Sequence, residues 1–275
     1  MIDPRLASLL NHVGKSAAPL LASMLMRGSP AKVVRLLESY LAFVQGKGAG
    51  AGWDIQTEAA IAVSYINRSD AIIFDVGAHQ GEWSQHILRA LGPTNTNSIY
   101  QFEPLPRNQK RLRALGLPRT TLIEAAVSDK SGVATLYTPD AWSSVASVHS
   151  RRDSYLQQYR FKEEKVNVVT IDEVIDHFKI DVVDFMKLDI EGNELAALQG
   201  SREALKSKRI KALTFEFGSG NINSRTYFHD FWDIFRSCGY AIKRICPGGY
   251  LVSIEEYYED LEYFRSVTNY LAVPQ

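Results

Sequence analysis

Between residues 71 and 217, short apolar runs alternate with segments whose apolar positions recur at helical spacing, which is the pattern of a parallel sheet with helices on its faces. AIIFDV (71–76), SIYQFE (98–103), TTLIEAAV (120–127), VVDFMKLD (182–189) and IKALTFEF (210–217) are the first strand candidates, and YAIKRIC (240–246), GYLVSI (249–254) and TNYLAVP (268–274) follow them. Helices fall between. Trp83, Ile87 and Leu91 share one helical face, as do Phe228, Phe231, Trp232 and Phe235. Gly116, Gly200 and Gly239 stand where helices should stop, and Thr170 with Glu173 predicts a capping box opening a helix over 171–178. An insertion of about fifty residues separates the third and fourth strands, with a hairpin expected near 132–138, a Ser-rich stretch at 143–150 and no core-like pattern.

Residues 1–45 read as helical. Val33, Leu36, Leu37, Tyr40, Leu41 and Val44 form one apolar stripe, and Ser29 is a candidate cap with Pro30 at the first helical position. The run GKGAGAG (46–52) offers little side chain to pack and is expected to be a flexible connector. The expected organisation is a helical N-terminal segment with its connector (1–52) and a main domain (53–275).

The 275 residues carry 31 Lys+Arg against 31 Asp+Glu, so no global field recruits nucleic acid, and no such partner is expected. The two cysteines, Cys238 and Cys246, match neither zinc nor CxxC redox spacing and suit a reducing cytoplasm. The apolar stretch 19–26 is too short to span a bilayer, and no signal peptide is recognised, so a soluble cytoplasmic protein is expected.

Chemistry gathers at the strand ends. In an open α/β sheet, ligands bind outside the carboxyl ends of the strands where strand order reverses. The first strand runs into FDVGAHQG, with Asp75, Gly77, Ala78, His79 and Gly81 forming a loop before a helix near Glu82. His79 stands where the dinucleotide fingerprint GxGxxG needs its second glycine, which disfavours a pyrophosphate-bearing cofactor. Asp75 repels phosphate and favours a cationic amino group or sulfonium, a description that fits S-adenosylmethionine. Glu103, read as an exposed acid ending the second strand about 20 residues after the loop, is placed to accept from ribose hydroxyls. Glu124 and Ala125 end the third strand and are expected beside the adenine.

Asp189, ending the fourth strand, is expected to face the reactive end of the cofactor, with Glu191, Glu216 and His79 as its candidate catalytic partners. Glu191 and Glu194 also suit the N-terminal dipole of the following helix. His149 is a further candidate base. Asp189 with Glu216 leaves open a divalent ion held by carboxylates. No NPPY or DPPY string follows the fourth strand, which favours an oxygen acceptor over a planar nitrogen.

Taken in order, FDVGAHQG, YQFEPLP, IEAAVSDKSG, MKLDIEGNELAALQGS and NYLAVP resemble the FkbM-type methyltransferases over roughly residues 57–274. The resemblance implies a Rossmann-like class I methyltransferase fold, with a seven-stranded, mostly parallel sheet flanked by helices on both faces. It also implies S-adenosylmethionine as cofactor and O-methylation of a hydroxyl on a sugar, glycolipid or related metabolite. Members often carry Asn at the position of His79, so a role for that side chain is particular to this chain. The expected partner is a small-molecule or glycan acceptor, with homodimerisation through the N-terminal helices. The competing reading is a non-catalytic interaction protein that keeps the fold and docks a partner through those helices. A short-chain oxidoreductase lacks both GxGxxG and YxxxK.

Overall fold

A computed structural model describes residues 4–50, 55–140 and 144–275, which divide into two compact units between Gln45 and Gly46. The first unit holds helices α1 (Pro4–Leu25) and α2 (Gly28–Val44). Helix α2 begins one residue before the expected cap: Arg27 is its N-cap and contributes no side-chain bond. Its apolar stripe, Val33 to Val44, lies on the surface, while Ala31 and Ala42 are buried.

The second unit starts inside the glycine run, which corrects its reading as a flexible connector over the described residues 46–50. Gly50 N donates to Val267 O at 3.0 Å and Gly48 N to Thr268 Oγ1 at 3.2 Å. A Cβ on Gly48, whose φ is +80°, would come within 2.4 Å of Arg265 O. These glycines serve close backbone approach, which only an absent side chain permits. Residues 51 and 52 lie outside the described residues.

Helix α3 (Ile55–Tyr65) precedes the first strand and packs on the helix that follows it. Strands β1 (Ile72–Val76), β2 (Ser98–Phe102) and β3 (Thr120–Ile123) are linked by α4 (Glu82–Leu91) and α5 (Pro106–Leu115). The third predicted strand is split: β3 ends at Ile123, and β4 (Ala126–Val127) joins a separate three-stranded sheet with β5 (Gly132–Pro139) and β6 (Phe161–Val169). The chain continues through α6 (Ile171–His177), β7 (Phe185–Leu188), α7 (Glu194–Gln199), α8 (Arg202–Lys206), β8 (Leu213–Gly218), α9 (Ser219–Ser224), α10 (Phe228–Ser237), β9 (Tyr240–Ile245), β10 (Leu251–Ile254) and β11 (Val267–Pro274). The capping box at Thr170 and Glu173 is present.

The main sheet has eight strands in the order β10-β9-β11-β8-β7-β1-β2-β3. Strands β1, β2, β3, β7 and β8 run parallel, β11 lies antiparallel between β8 and β9, and β10 adds an antiparallel edge beyond the expected seven. Strands β1 and β7 are buried almost throughout, which explains their continuous apolar reading. Successive residues face opposite layers. Ile73 packs with Trp83, Ile87 and Phe185 on the α3–α4 side, whereas Phe74 packs with Phe102, Ile171 and Leu198 on the other.

The insertion is not free of core, contrary to its sequence pattern. Leu136, Val166 and Val168 are buried with Leu105 and Ala126. The expected local hairpin is also absent: β5 pairs instead with β6, across the segment 140–160. In the main sheet the chain leaves β1 toward β2 and β3 on one side and returns to β7 and β8 on the other. Strand order therefore reverses between β1 and β7, and a crevice opens at their carboxyl ends.

Candidate functional site

The loop after β1 is shaped around its neighbours. Gly77 and Ala78 N–H groups donate to Phe102 O at 3.1 and 3.0 Å. A Cβ on Gly77, at φ +88°, would fall 1.9 Å from Asp189 O, so only glycine lets the β1 and β7 loops meet. Gly81 closes the turn with φ +82° immediately before α4. His79 adopts a left-handed backbone, φ +48°, and its N–H donates to Glu103 Oε2 at 2.9 Å. Burial lowers the pKa of the half-buried His79 ring and favours neutral imidazole.

Glu103 is buried, not exposed as its position at a strand end suggested. Its Oε1 accepts from Leu105 N at 2.9 Å, so the carboxylate fastens two loops together. Burial pushes its pKa up to about 7 against the opposing pull of these bonds. The Asn108 side chain also bonds to this carboxylate, so a ligand hydroxyl would share it with three protein donors. The acid faces a cleft with a mainly apolar wall, formed by Phe102, Pro104, Ala125, Val127, Leu136 and Val148, and closed toward β7 by Asp189, Ile190 and Asn193. A carboxylate beside an apolar slot sets a hydrogen-bond acceptor next to an apolar wall.

Two expected cofactor contacts fall elsewhere. Asp75 is fully buried beneath the loop, where Oδ2 accepts from Ser84 Oγ at 2.6 Å and Oδ1 has no partner. Burial raises its pKa, and it lines neither cavity at the strand ends. Glu124 turns outward once β3 ends: its side chain is 50% exposed and pairs with Arg113. It edges a separate surface hollow with Leu122 and Phe178, while Ala125 alone of that pair reaches the cleft.

Beyond Asp189 the cleft adjoins a chamber lined by His79, Lys187, Asp189, Glu191 and Glu216, with Glu58 of α3 and Trp83 of α4 on its wall. The structure thus brings the four candidate catalytic residues together. Lys187 is the group that sequence reasoning missed. It is in register with Asp75 across β1 and β7, and its Nζ donates to Asp189 Oδ2 at 2.6 Å. Burial pulls its pKa down, but Asp189 and Asp75 together lift it above the ordinary lysine value, so it is a permanent cation. Burial, reinforced by Asp189, holds the Glu216 carboxyl well above the usual range. Among the described residues no three His, Cys, Asp or Glu side chains are arranged to hold a metal ion.

Glu191 takes a left-handed backbone, φ +56°, in the tight turn of LDIEGNE. Glu194 builds that turn, its Oε1 accepting from Ile190 N at 2.9 Å and Gly192 N at 3.2 Å. The insertion is strapped onto the same turn. Ser147 Oγ donates to Glu191 O at 2.8 Å, and Arg151, whose side chain is 1% exposed, donates to Glu191 Oε2 at 2.5 Å and Asp153 Oδ2 at 2.6 Å. His149 belongs to this fastening, its Nε2 lying 3.1 Å from Asn193 Oδ1. Burial pushes Glu191 up to about 7, with Arg151 opposing.

Residues 75–242 match the family model for the methyltransferase FkbM domain, which begins at Asp75 and runs through β9. The chain belongs to this family of S-adenosylmethionine-dependent methyltransferases. Among solved structures it is similar to the methyltransferase FkbM of Methylobacillus flagellatus KT (17% identity, TM-score 0.48, covering 88% of this chain), of which it spans 60% of the length. It is also similar to a TehB-like S-adenosylmethionine-dependent methyltransferase of Corynebacterium glutamicum (14%, TM-score 0.42, covering 90% and 100% of the two chains). Fibrillarin of Aeropyrum pernix, solved with natively bound S-adenosylmethionine, aligns at 14% identity and TM-score 0.43, covering 80% and 76%. No curated protein matches in sequence.

Proposed function

We propose that the chain transfers a methyl group to a hydroxyl of a sugar, glycolipid or related metabolite. The observation that carries this reading is the junction at Asp189, where an apolar cleft edged by Glu103 meets a chamber walled by carboxylates, with a buried ammonium fixing one of them. Bound S-adenosylmethionine supplies an electrophilic methyl on a sulfonium. Glu103 accepts from the ribose hydroxyls, Ala125, Val127 and Leu136 flank the adenine, and the Gly77–Ala78–His79 backbone lies against the amino-acid end. Gly81 and Asp75 act from behind, one turning the chain into α4 and the other holding Ser84 and countering Lys187.

In the chamber the first task is to hold an acceptor oxygen about 3–3.5 Å from the methyl and in line with sulfur. Asp189, Glu191 and Glu216 offer acceptors that orient a polyol. The second task is removal of the hydroxyl proton, worth about 10²–10⁴-fold when a base is within reach. Asp189 takes this proton, with Lys187 fixing its Oδ2. Glu216, whose raised pKa makes it the stronger base once ionised, and neutral His79 stand beside it. A methyl-transfer assay over sugars, nucleotide sugars and glycolipids, read by mass spectrometry, tests the proposal. A gain of one methyl on an oxygen supports it, and methylation confined to nitrogen or carbon overturns it.

A further inference from the structure

A second cavity lies on the far side of the insertion strap and adjoins the acid-walled chamber, the two sharing Tyr155, Ser219 and Ser266 as lining. Their charges are opposite. The chamber wall carries Glu58, Glu82, Asp189, Glu191 and Glu216 against the single ammonium of Lys187. The outer groove carries Arg152 and Arg225, with Asp153 as its one acid. Asp153 is already spent: its Oδ2 accepts from buried Arg151 at 2.6 Å and from Asn223 Nδ2 at 3.1 Å. Neither Arg152 nor Arg225 has a carboxylate partner among the described residues.

The backbone segments that carry the two arginines are linked through one residue. Arg152 N donates to Asn223 Oδ1 at 2.9 Å, and Asn223 lies on α9 two positions before Arg225, the residue that caps that helix. Arg152 follows Arg151, which is locked to Glu191, so the cationic wall is tied to the catalytic turn. Exposed arginines with no carboxylate partner are suited to bidentate recognition of phosphate oxygens, and a phosphate would be repelled from the carboxylate chamber.

We infer that the outer groove is a phosphate subsite, and that the acceptor is a phosphorylated or phosphate-linked sugar whose hydroxyl enters the chamber while its phosphate rests between Arg152 and Arg225. This rests on the hydroxyl-directed reading above. The opposite charges of the two cavities set the order of binding elements: nucleoside cleft, Asp189, sugar, phosphate.

The test is titration calorimetry of the S-adenosylhomocysteine-loaded protein with pyrophosphate, glucose 1-phosphate, uridine diphosphate glucose and methyl glucoside, for the parent chain and the double variant Arg152→Met/Arg225→Met. Pyrophosphate is expected to bind more tightly than on the order of 10 mM. Phosphate-bearing sugars are expected to bind at least tenfold more tightly than methyl glucoside, with the advantage shrinking at high salt. The double variant should lose that advantage and keep its affinity for S-adenosylmethionine. A nucleotide sugar bound better than glucose 1-phosphate identifies a diphosphate source, and equal binding identifies a monophosphate. No pyrophosphate binding, equal affinity for neutral and phosphorylated sugars, or an advantage that survives in the double variant overturns the inference. Methyl transfer scored in parallel separates the two proposals: arginine-dependent phosphate binding without O-methylation keeps the subsite and removes the hydroxyl reading. Efficient O-methylation of neutral sugars with no arginine dependence does the reverse.

Discussion

The Lys187 ammonium lies 2.6 Å from Asp189 Oδ2, held there by a side chain that is only 10% exposed. It stands level with Asp75 on the neighbouring strand, so a single cation serves a buried structural acid and a chamber acid at once. Asp75 has an oxygen with no hydrogen-bond partner; burial raises its pKa, and the nearby Lys187 charge opposes that rise.

Lys187→Met should therefore destabilise the domain. Removing one member of a buried pair costs about 3–5 kcal/mol, and the low end applies because Asp189 is a third exposed. Denaturant unfolding measures the loss. The double variant Lys187→Met/Asp75→Asn should lose clearly less than the sum of the two single changes, as the buried charge left behind is also gone. A Lys187→Met loss under about 0.5 kcal/mol would show that the cation carries no such burden.

Glu103 fastens two loops, and in the proposed function it also holds the ribose. Glu103→Ala leaves the His79 and Leu105 N–H groups without their acceptor, at about 1–3 kcal/mol each, so the variant should be less stable as well as weaker in binding. Losing two ribose bonds to a charged acceptor lowers affinity at least tenfold. The pH dependence has a definite sign. Ribose hydroxyls donate to the ionised carboxylate, whose pKa in the free protein is about 7, so affinity is full above that pH and falls as pH drops through it. Calorimetric titration with S-adenosylmethionine between pH 5.5 and 8.5 should show this slope in the parent chain, with a flat profile in Glu103→Gln. A slope that survives in Glu103→Gln assigns the titration to another group.

What the sequence made legible follows from burial and from local contact. Strands β1, β7 and β8 read as apolar runs because their residues are buried, and the capping box at Thr170 is a contact between residues three apart. Lys187 was not legible. Within a predicted strand it reads as a stray charge, and its role depends on register with Asp75, which lies far away in the chain. Arg151 was hidden for the same reason, as its partner Glu191 lies across the insertion. Glu124 was misread because the third strand was carried to residue 127, four residues beyond the real end of β3. The glycine run was misread because low side-chain bulk signals either flexibility or close packing, and only the neighbours of Gly46 and Gly48 decide between them.

Helices α1 and α2 form their own compact unit, and Val33, Leu37, Tyr40 and Val44 make an exposed apolar stripe on it, the kind of face that marks interaction sites. Removing residues 1–45 should alter oligomeric mass, read by light scattering, or acceptor affinity, and should leave S-adenosylmethionine binding unchanged, since the residues lining the proposed cofactor cleft all belong to the second unit. A truncated chain that loses cofactor binding would show that the two units depend on each other.

Asp189→Asn keeps the shape of the side chain and removes its charge, which makes it the sharpest probe of the chemistry. The asparagine amide can still turn its oxygen toward Lys187, so the buried ammonium keeps a hydrogen-bond acceptor and the fold is spared the full cost of an unpaired cation. Under the proposed function, what is lost is the proton acceptor beside the acceptor hydroxyl, an alcohol whose acidity is close to that of water, with a pKa of about 15.7. Turnover should fall by at least a hundredfold while S-adenosylmethionine binds within a few-fold of the parent value, a split that identifies an interaction made in the transition state. A chelator separates this role from metal binding. Lys187 already supplies the positive charge at Asp189, and a divalent ion there would have to displace an ammonium bonded at 2.6 Å, so EDTA should leave turnover unchanged. Loss of turnover with EDTA, restored by magnesium, would make Asp189 a metal ligand instead. Near-normal turnover of Asp189→Asn would move the base to Glu216 or His79, and the pH–rate profile would then tell them apart. Neutral His79, its pKa lowered by burial, supports rate down to pH values below the ordinary histidine range, whereas Glu216, raised well above the ordinary glutamate range, loses it at higher pH.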